Sequence, residues 1–113
     1  MRYIDPIHPG EQLREEFMKR LGLTPERLAL EIGAETWEIR AVVEERLGVS
    51  SELALRLARY FGTTARFWLD MQRDYDLEKA AAALGDRLDF EVKRAADDSP
   101  YAGPERRTRP RLG

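Results

Sequence analysis

Apolar side chains along the first 84 positions recur at helical spacing. Leu13, Phe17, Met18 and Leu21 follow i, i+4, i+5 and i+8, the pattern of one buried helix face. Glu11, Arg14, Glu15 and Lys19 cover the opposite face, and Gly22 predicts the stop. Before this helix, residues 1–10 hold two prolines and a glycine and predict an irregular lead-in, with Pro9-Gly10 as a turn. A second helix is predicted from Thr24 to Gly33. Thr24 is an N-cap residue, Pro25 suits the first helical position and Glu26 suits the helix dipole. Leu28, Ala29 and Ile32 face inward. After the turn at Ala34-Glu35, a third helix is predicted over 36–46, burying Ile39, Val42 and Val43.

Ser50 or Ser51 caps a fourth helix with Leu53, Ala54, Leu57, Ala58 and Phe61 at helical spacing, ended by Gly62. Thr63 or Thr64 caps a fifth, about 65–84, whose apolar stripe is Phe67, Trp68, Met71, Tyr75 and Leu77, with a stop at Gly85. In residues 86–97, Leu88, Phe90 and Val92 alternate like a strand, while Leu88, Val92 and Ala95 fit a helix equally well. Both readings stay open. The predicted fold class is all-α: a five-helix domain over residues 1–96 with a C-terminal extension, and a disordered tail over 97–113 holding three prolines and two glycines.

Composition changes this picture little. The 113 residues suffice for one core, and 42% hydrophobic residues argue for a folded chain. With no cysteine and one histidine, neither a disulfide framework nor a zinc set is available, so no metal and no cofactor is expected. His8 reads as a turn residue. No signal-like or 18-residue apolar run occurs, which predicts a cytoplasmic protein without a membrane partner. Charge changes more. Residues 1–98 carry 15 basic and 20 acidic side chains, while 99–113 carry Arg106, Arg107, Arg109 and Arg111 against Glu105. The folded part is acidic, so bulk charge gives nucleic-acid binding no support. The tail is either a solvated end or an arm that contacts phosphates or a protein partner.

The helices at 24–33 and 36–46 have the dimensions of a helix-turn-helix. Ala29 is small where the helices cross, Gly33 lets the backbone reverse, and Ile39 and Val42 fill the gap against Leu28 and Ile32. A generic helical hairpin is the alternative. In the motif's geometry Glu35, Thr36, Trp37 and Arg40 face DNA, with Ala41 at the edge of that set. Thr24 and Arg46 stand at the two ends, and Glu38, Glu44 and Glu45 flank it. Trp37 reads first as a half-buried aromatic over the helix seam, and otherwise as a contact to a thymine methyl or a protein partner. No phosphate loop, paired polar cluster or nucleophile–base arrangement suggests an enzyme.

The stretch His8-Pro9-Gly10-Glu11, then Leu13-Arg14-Glu15-Glu16-Phe17, resembles the opening of the HigA-type antitoxins, the virulence-associated protein I family. The resemblance continues through Leu21-Gly22-Leu23-Thr24, Leu28-Ala29 and Ile32-Gly33. It is densest from Ala54 to Thr64, and ends with Phe67-Trp68-Leu69-Asp70-Met71-Gln72 and Tyr75-Asp76-Leu77. It implies a repressor-like helix-turn-helix fold and the antitoxin role in a type II toxin–antitoxin module. The implied protein is a homodimer that neutralises a RelE-like mRNA-cleaving toxin and represses its own operator. An uncovered part of the fifth-helix stripe, Trp68, Tyr75 and Leu77, with Leu88 and Phe90 beyond it, is the expected dimer interface. That would space two recognition helices roughly 34 Å apart. The chain departs from the family pattern at the recognition helix. Pro25 replaces a common glutamine, and the glutamates oppose the phosphate attraction on which affinity largely rests. An antitoxin-like interaction module without DNA binding is therefore the alternative.

Overall fold

The computed structural model describes residues 6–95, and two compact units divide the chain, Met1–Ala83 and Leu84–Gly113. The expectation of a disordered tail over 97–113 lies outside the described residues. Six helices and no strand occur among the described residues, one helix more than the sequence pattern predicts.

The first helix, α1 (residues 9–21), starts four residues before the first member of its apolar period, Leu13. Its entry is α-helical over Pro9–Gln12 because His8 is its N-cap, not a turn residue. The His8 Nδ1 accepts from the Gly10 N–H at 2.8 Å, doing what a serine or aspartate oxygen usually does at this position. Pro9 follows at the first helical position, where its missing N–H costs nothing. The middle of α1, Leu13–Met18, is a π-helix, and its end, Lys19–Leu21, is α-helical again. The wider π-turn places Leu13 and Met18, five residues apart, together in the core. Leu21, predicted on the buried face, is 61% exposed in the last turn of the helix, where no residue is buried.

Helix α2 (Pro25–Ile32) and helix α3 (Thr36–Val43) flank Gly33, which takes φ +74 to reverse the chain. Thr24 caps α2 by accepting from the Arg27 N–H at 3.1 Å. Helix α4 (Ser51–Phe61) is capped by Ser50, and helix α5 (Ala65–Leu84) follows Thr64, whose hydroxyl accepts from the Phe67 N–H. One core joins Leu13 and Met18 of α1, Leu28, Ala29 and Ile32 of α2, Ile39 and Val42 of α3, Leu53 and Leu57 of α4, and Trp68 of α5. Residues 86–97, ambiguous in sequence, hold a short helix α6 (Arg87–Glu91) within the second unit.

Helix α3 stops three residues before its predicted end. Glu45 enters the left-handed region at φ +63, and the N–H of Arg46 turns back to the Ala41 carbonyl at 2.9 Å. The turn is braced by α1. The Arg14 guanidinium donates to the Val43 carbonyl and stands 3.6 Å from the Glu45 carboxylate. Bonded also to Glu15, it is held more firmly protonated than usual. Gly10 makes the crossing possible: a Cβ there would lie 1.8 Å from the Val42 carbonyl oxygen. The end of α3 is thus fixed from behind while its start faces outward.

His8 couples this junction to acidity. Its ring is 4% exposed and meets Tyr75 of α5 edge-on, with centroids 4.8 Å apart. Burial lowers its pKa, against the opposing pull of Glu45 and Asp76. A folded-state pKa below the unfolded value favours the fold at pH above about 6.5, and that contribution is lost as pH falls through the folded value. Protonation of Nδ1 also removes the cap acceptor. Thermal unfolding followed from pH 7.5 to 5 is therefore expected to fall in midpoint, and His8→Asn, a cap that does not titrate, is expected to flatten that slope. An unchanged slope in the variant would assign the acid sensitivity to the carboxylates.

Candidate nucleic-acid interface

The outward face of the α2–turn–α3 pair is built by the core beneath it. Burial of Ile39, Ala41, Val42 and Val43 turns one side of α3 to the core and leaves Trp37 and Arg40 on its free side. Glu35 is the residue before α3 and its side chain makes no cap bond. Glu35 is exposed, Thr36 is half-buried, and Trp37 is 64% exposed. Trp37 is thus a projecting side chain and not a seam-covering one. Arg40, one turn further along, presents its guanidinium on the same side and pairs with Glu26 in the first turn of α2.

The structure brings together Glu35, Thr36, Trp37 and Arg40 at the start of α3, and joins Arg40 to Glu26 of α2. Thr24 is exposed, but its hydroxyl oxygen is already the α2 cap. Two predicted members are elsewhere. Ala41 is 5% exposed and belongs to the core side of α3. Arg46 lies beyond the helix, because α3 ends at Val43, and its guanidinium pairs with Glu44 at 2.7 Å. Sequence reasoning assigns Glu26 only a role at the helix dipole. Its position opposite Arg40 comes from the crossing of two helices and has no local signature.

The expected dimer residues also separate. Trp68 is 0% exposed and is corrected from interface to core: it is packed by Phe17, Phe61 and Phe67, and its indole N–H donates to the Thr63 hydroxyl at 2.8 Å. Tyr75 is half-buried against His8, with Lys79 above its ring. Leu77, Leu88 and Phe90 are exposed apolar side chains. Among the described residues there is no cluster of three or more histidines and carboxylates able to hold a metal, and no helix long and apolar enough to cross a membrane.

A first helix that braces a two-helix reading head, backed by two more helices, defines the class: a repressor-like helix-turn-helix domain. No family model matches the chain, but individual relatives do. Virulence-associated protein I of Dichelobacter nodosus is 47% identical over 74 residues, 66% of this chain and 68% of that protein. The Pseudomonas aeruginosa antitoxin HigA, solved with the higBA promoter, superposes with a TM-score of 0.77 at 38% identity, over 80% of this chain and 99% of that one. The antitoxin GraA, solved in complex with its operator, gives 0.78 at 41% identity, over 85% and 97%. The chain belongs to the HigA-type, virulence-associated protein I family of antitoxins, a family of transcriptional regulators and not of enzymes.

Proposed function

We propose that this chain is the antitoxin of a type II toxin–antitoxin module, a cytoplasmic homodimer that represses its own operator and neutralises a RelE-like mRNA-cleaving toxin. The observation that carries the DNA half is the projection of Thr36, Trp37 and Arg40 from one face of α3, anchored from behind by Arg14 and Gly10. Two relatives of the same fold were solved with promoter or operator DNA. In this arrangement the α3 N-terminus enters the major groove, Arg40 has the fork geometry to donate to a guanine edge, and Trp37 offers apolar contact to a thymine methyl. The toxin half rests on family membership alone.

The acidic face favours a second reading. Glu35 and Glu38 make no ion pair with any described residue, and carboxylates beside phosphates weaken non-specific attraction. An antitoxin that keeps its protein partner and has lost its operator would look the same. Fluorescence anisotropy with the duplex upstream of its own coding region separates the two. The operator reading expects nanomolar binding that weakens with salt, and absence of binding at micromolar protein supports the second. Arg40→Ala is expected to cost about 1–3 kcal/mol of specific affinity, on the order of 10- to 100-fold; unchanged affinity removes Arg40 from the interface. Co-purification with the product of the adjacent reading frame tests the toxin half.

A further inference from the structure

We infer that Glu26 is a specificity-determining residue, one that keeps Arg40 from binding DNA of the wrong sequence. The inference rests on the operator-binding reading above. Arg40 is the one basic residue of α3, and its guanidinium is committed to Glu26 on the neighbouring helix. Among the described residues, only Arg40–Glu26 and Arg14–Glu45 tie separate elements together; the other ion pairs join neighbours on the same helix or turn. Arg14–Glu45 lies behind the motif. Arg40–Glu26 lies on its outward side, where both side chains are about half exposed, at 49% and 54%.

That exposure decides the role. An ion pair so accessible contributes little to stability, so a better partner can displace it. A DNA phosphate is scarcely better. It exchanges one exposed anion for another and leaves the Glu26 carboxylate unpaired beside the negative duplex, with Glu35 and Glu38 already there. A guanine edge offers Arg40 two hydrogen bonds only where that base stands in the right place, whereas phosphates are present at every sequence and carry no such discrimination. Release of Arg40 is therefore unfavourable on random sequence and favourable where a guanine is correctly placed. Discrimination arises by penalising the wrong complex as well as by favouring the right one.

The test compares Glu26→Gln with the wild-type full chain by anisotropy, on the upstream duplex and on a scrambled duplex of equal length, at several salt concentrations. Gln keeps the shape and the first-turn position and removes the charge. Affinity for the scrambled duplex is expected to rise about 5- to 10-fold at low salt. Its log–log salt slope is expected to steepen by about 0.9, the value for one more neutralised phosphate, while the upstream duplex gains less. The control is Glu31→Gln, which removes an equal charge from α2 where Glu31 pairs with Arg27; it is expected to leave the ratio of the two affinities unchanged. An unchanged ratio in Glu26→Gln overturns the inference, as does equal narrowing by Glu31→Gln. Weakened binding of the upstream duplex in Glu26→Gln, matching Arg40→Ala, also overturns it by showing that Glu26 aims Arg40. A wild-type chain with no preference for the upstream duplex fails at the earlier step, the operator reading itself.

Discussion

Trp68→Ala is expected to destabilise the folded monomer by about 3–5 kcal/mol, the range for removing a large aromatic from a close-packed core. Trp68 is fully buried and is among the largest such side chains among the described residues. It sits where α1, α4 and α5 meet, with ring centroids 5.2 Å from Phe17, 6.4 Å from Phe61 and 5.0 Å from Phe67. Removing the indole leaves a cavity those rings cannot fill without shifting together, and it removes the hydrogen bond from the indole N–H to the Thr63 hydroxyl. A loss of that size lowers the unfolding midpoint by on the order of 15 °C or more in a domain of this length. Trp68→Phe keeps most of the volume and loses the hydrogen bond, so a smaller fall is expected. The measurement also distinguishes core from interface. A core residue lowers the midpoint equally at all protein concentrations, whereas an interface residue makes the loss concentration-dependent. In Trp68→Ala, emission from exposed Trp37 alone remains, and it is expected to be red-shifted.

Trp68 shows what periodicity can carry. The stripe Phe67, Trp68, Met71, Tyr75 identifies one side of a helix, but a stripe does not say whether the same chain or another one covers it. The helix ends divide in the same way. Ends at Gly22, Gly33 and Gly62 were legible because each takes the left-handed conformation that glycine adopts freely. The end of α3 was not, because Glu45 adopts that conformation without being glycine, held by Arg14 from a distant helix. The start of α1 was hidden by a histidine acting as a cap and by a proline-glycine pair that reads locally as a turn. The π-turn in α1, which brings Leu13 and Met18 together in the core, leaves no mark in composition. Of the reading head, Thr36, Trp37 and Arg40 were legible from the spacing of the buried residues between them. Glu26 was not, since its meaning depends on which residue of the next helix lies opposite.

Leu77→Asp is expected to convert a dimer to a monomer, and with it to lower operator affinity about 100-fold or more. Helix α5 has 20 residues, about 30 Å of helix, yet only its first half is held by the core. From Asp76 onward its residues are exposed apart from the half-buried Leu84, and Leu77 is 64% exposed. Leu77, Ala80, Ala81 and Leu84 fall at i, i+3, i+4 and i+7, a continuous apolar stripe that the described residues leave largely uncovered. Helical stability in water comes mostly from packing such a stripe against another surface. In the proposed homodimer a second copy would supply an equivalent stripe about a two-fold axis, and each Leu77 would be buried by its counterpart's surface. An aspartate there brings an unpaired carboxylate into the contact. The effect on DNA is larger than the effect on assembly alone, because a dimer binds two half-sites and gains roughly 10²- to 10⁴-fold from the linkage. Light scattering after size exclusion reports the mass, and anisotropy with the full upstream duplex reports the affinity. Phe90→Asp, 78% exposed at the native phenylalanine in the second unit, gives the same pair of readings for that segment. A Leu77→Asp protein that remains dimeric at micromolar concentration would take α5 out of the interface and leave Leu88 and Phe90 as the apolar side chains to account for.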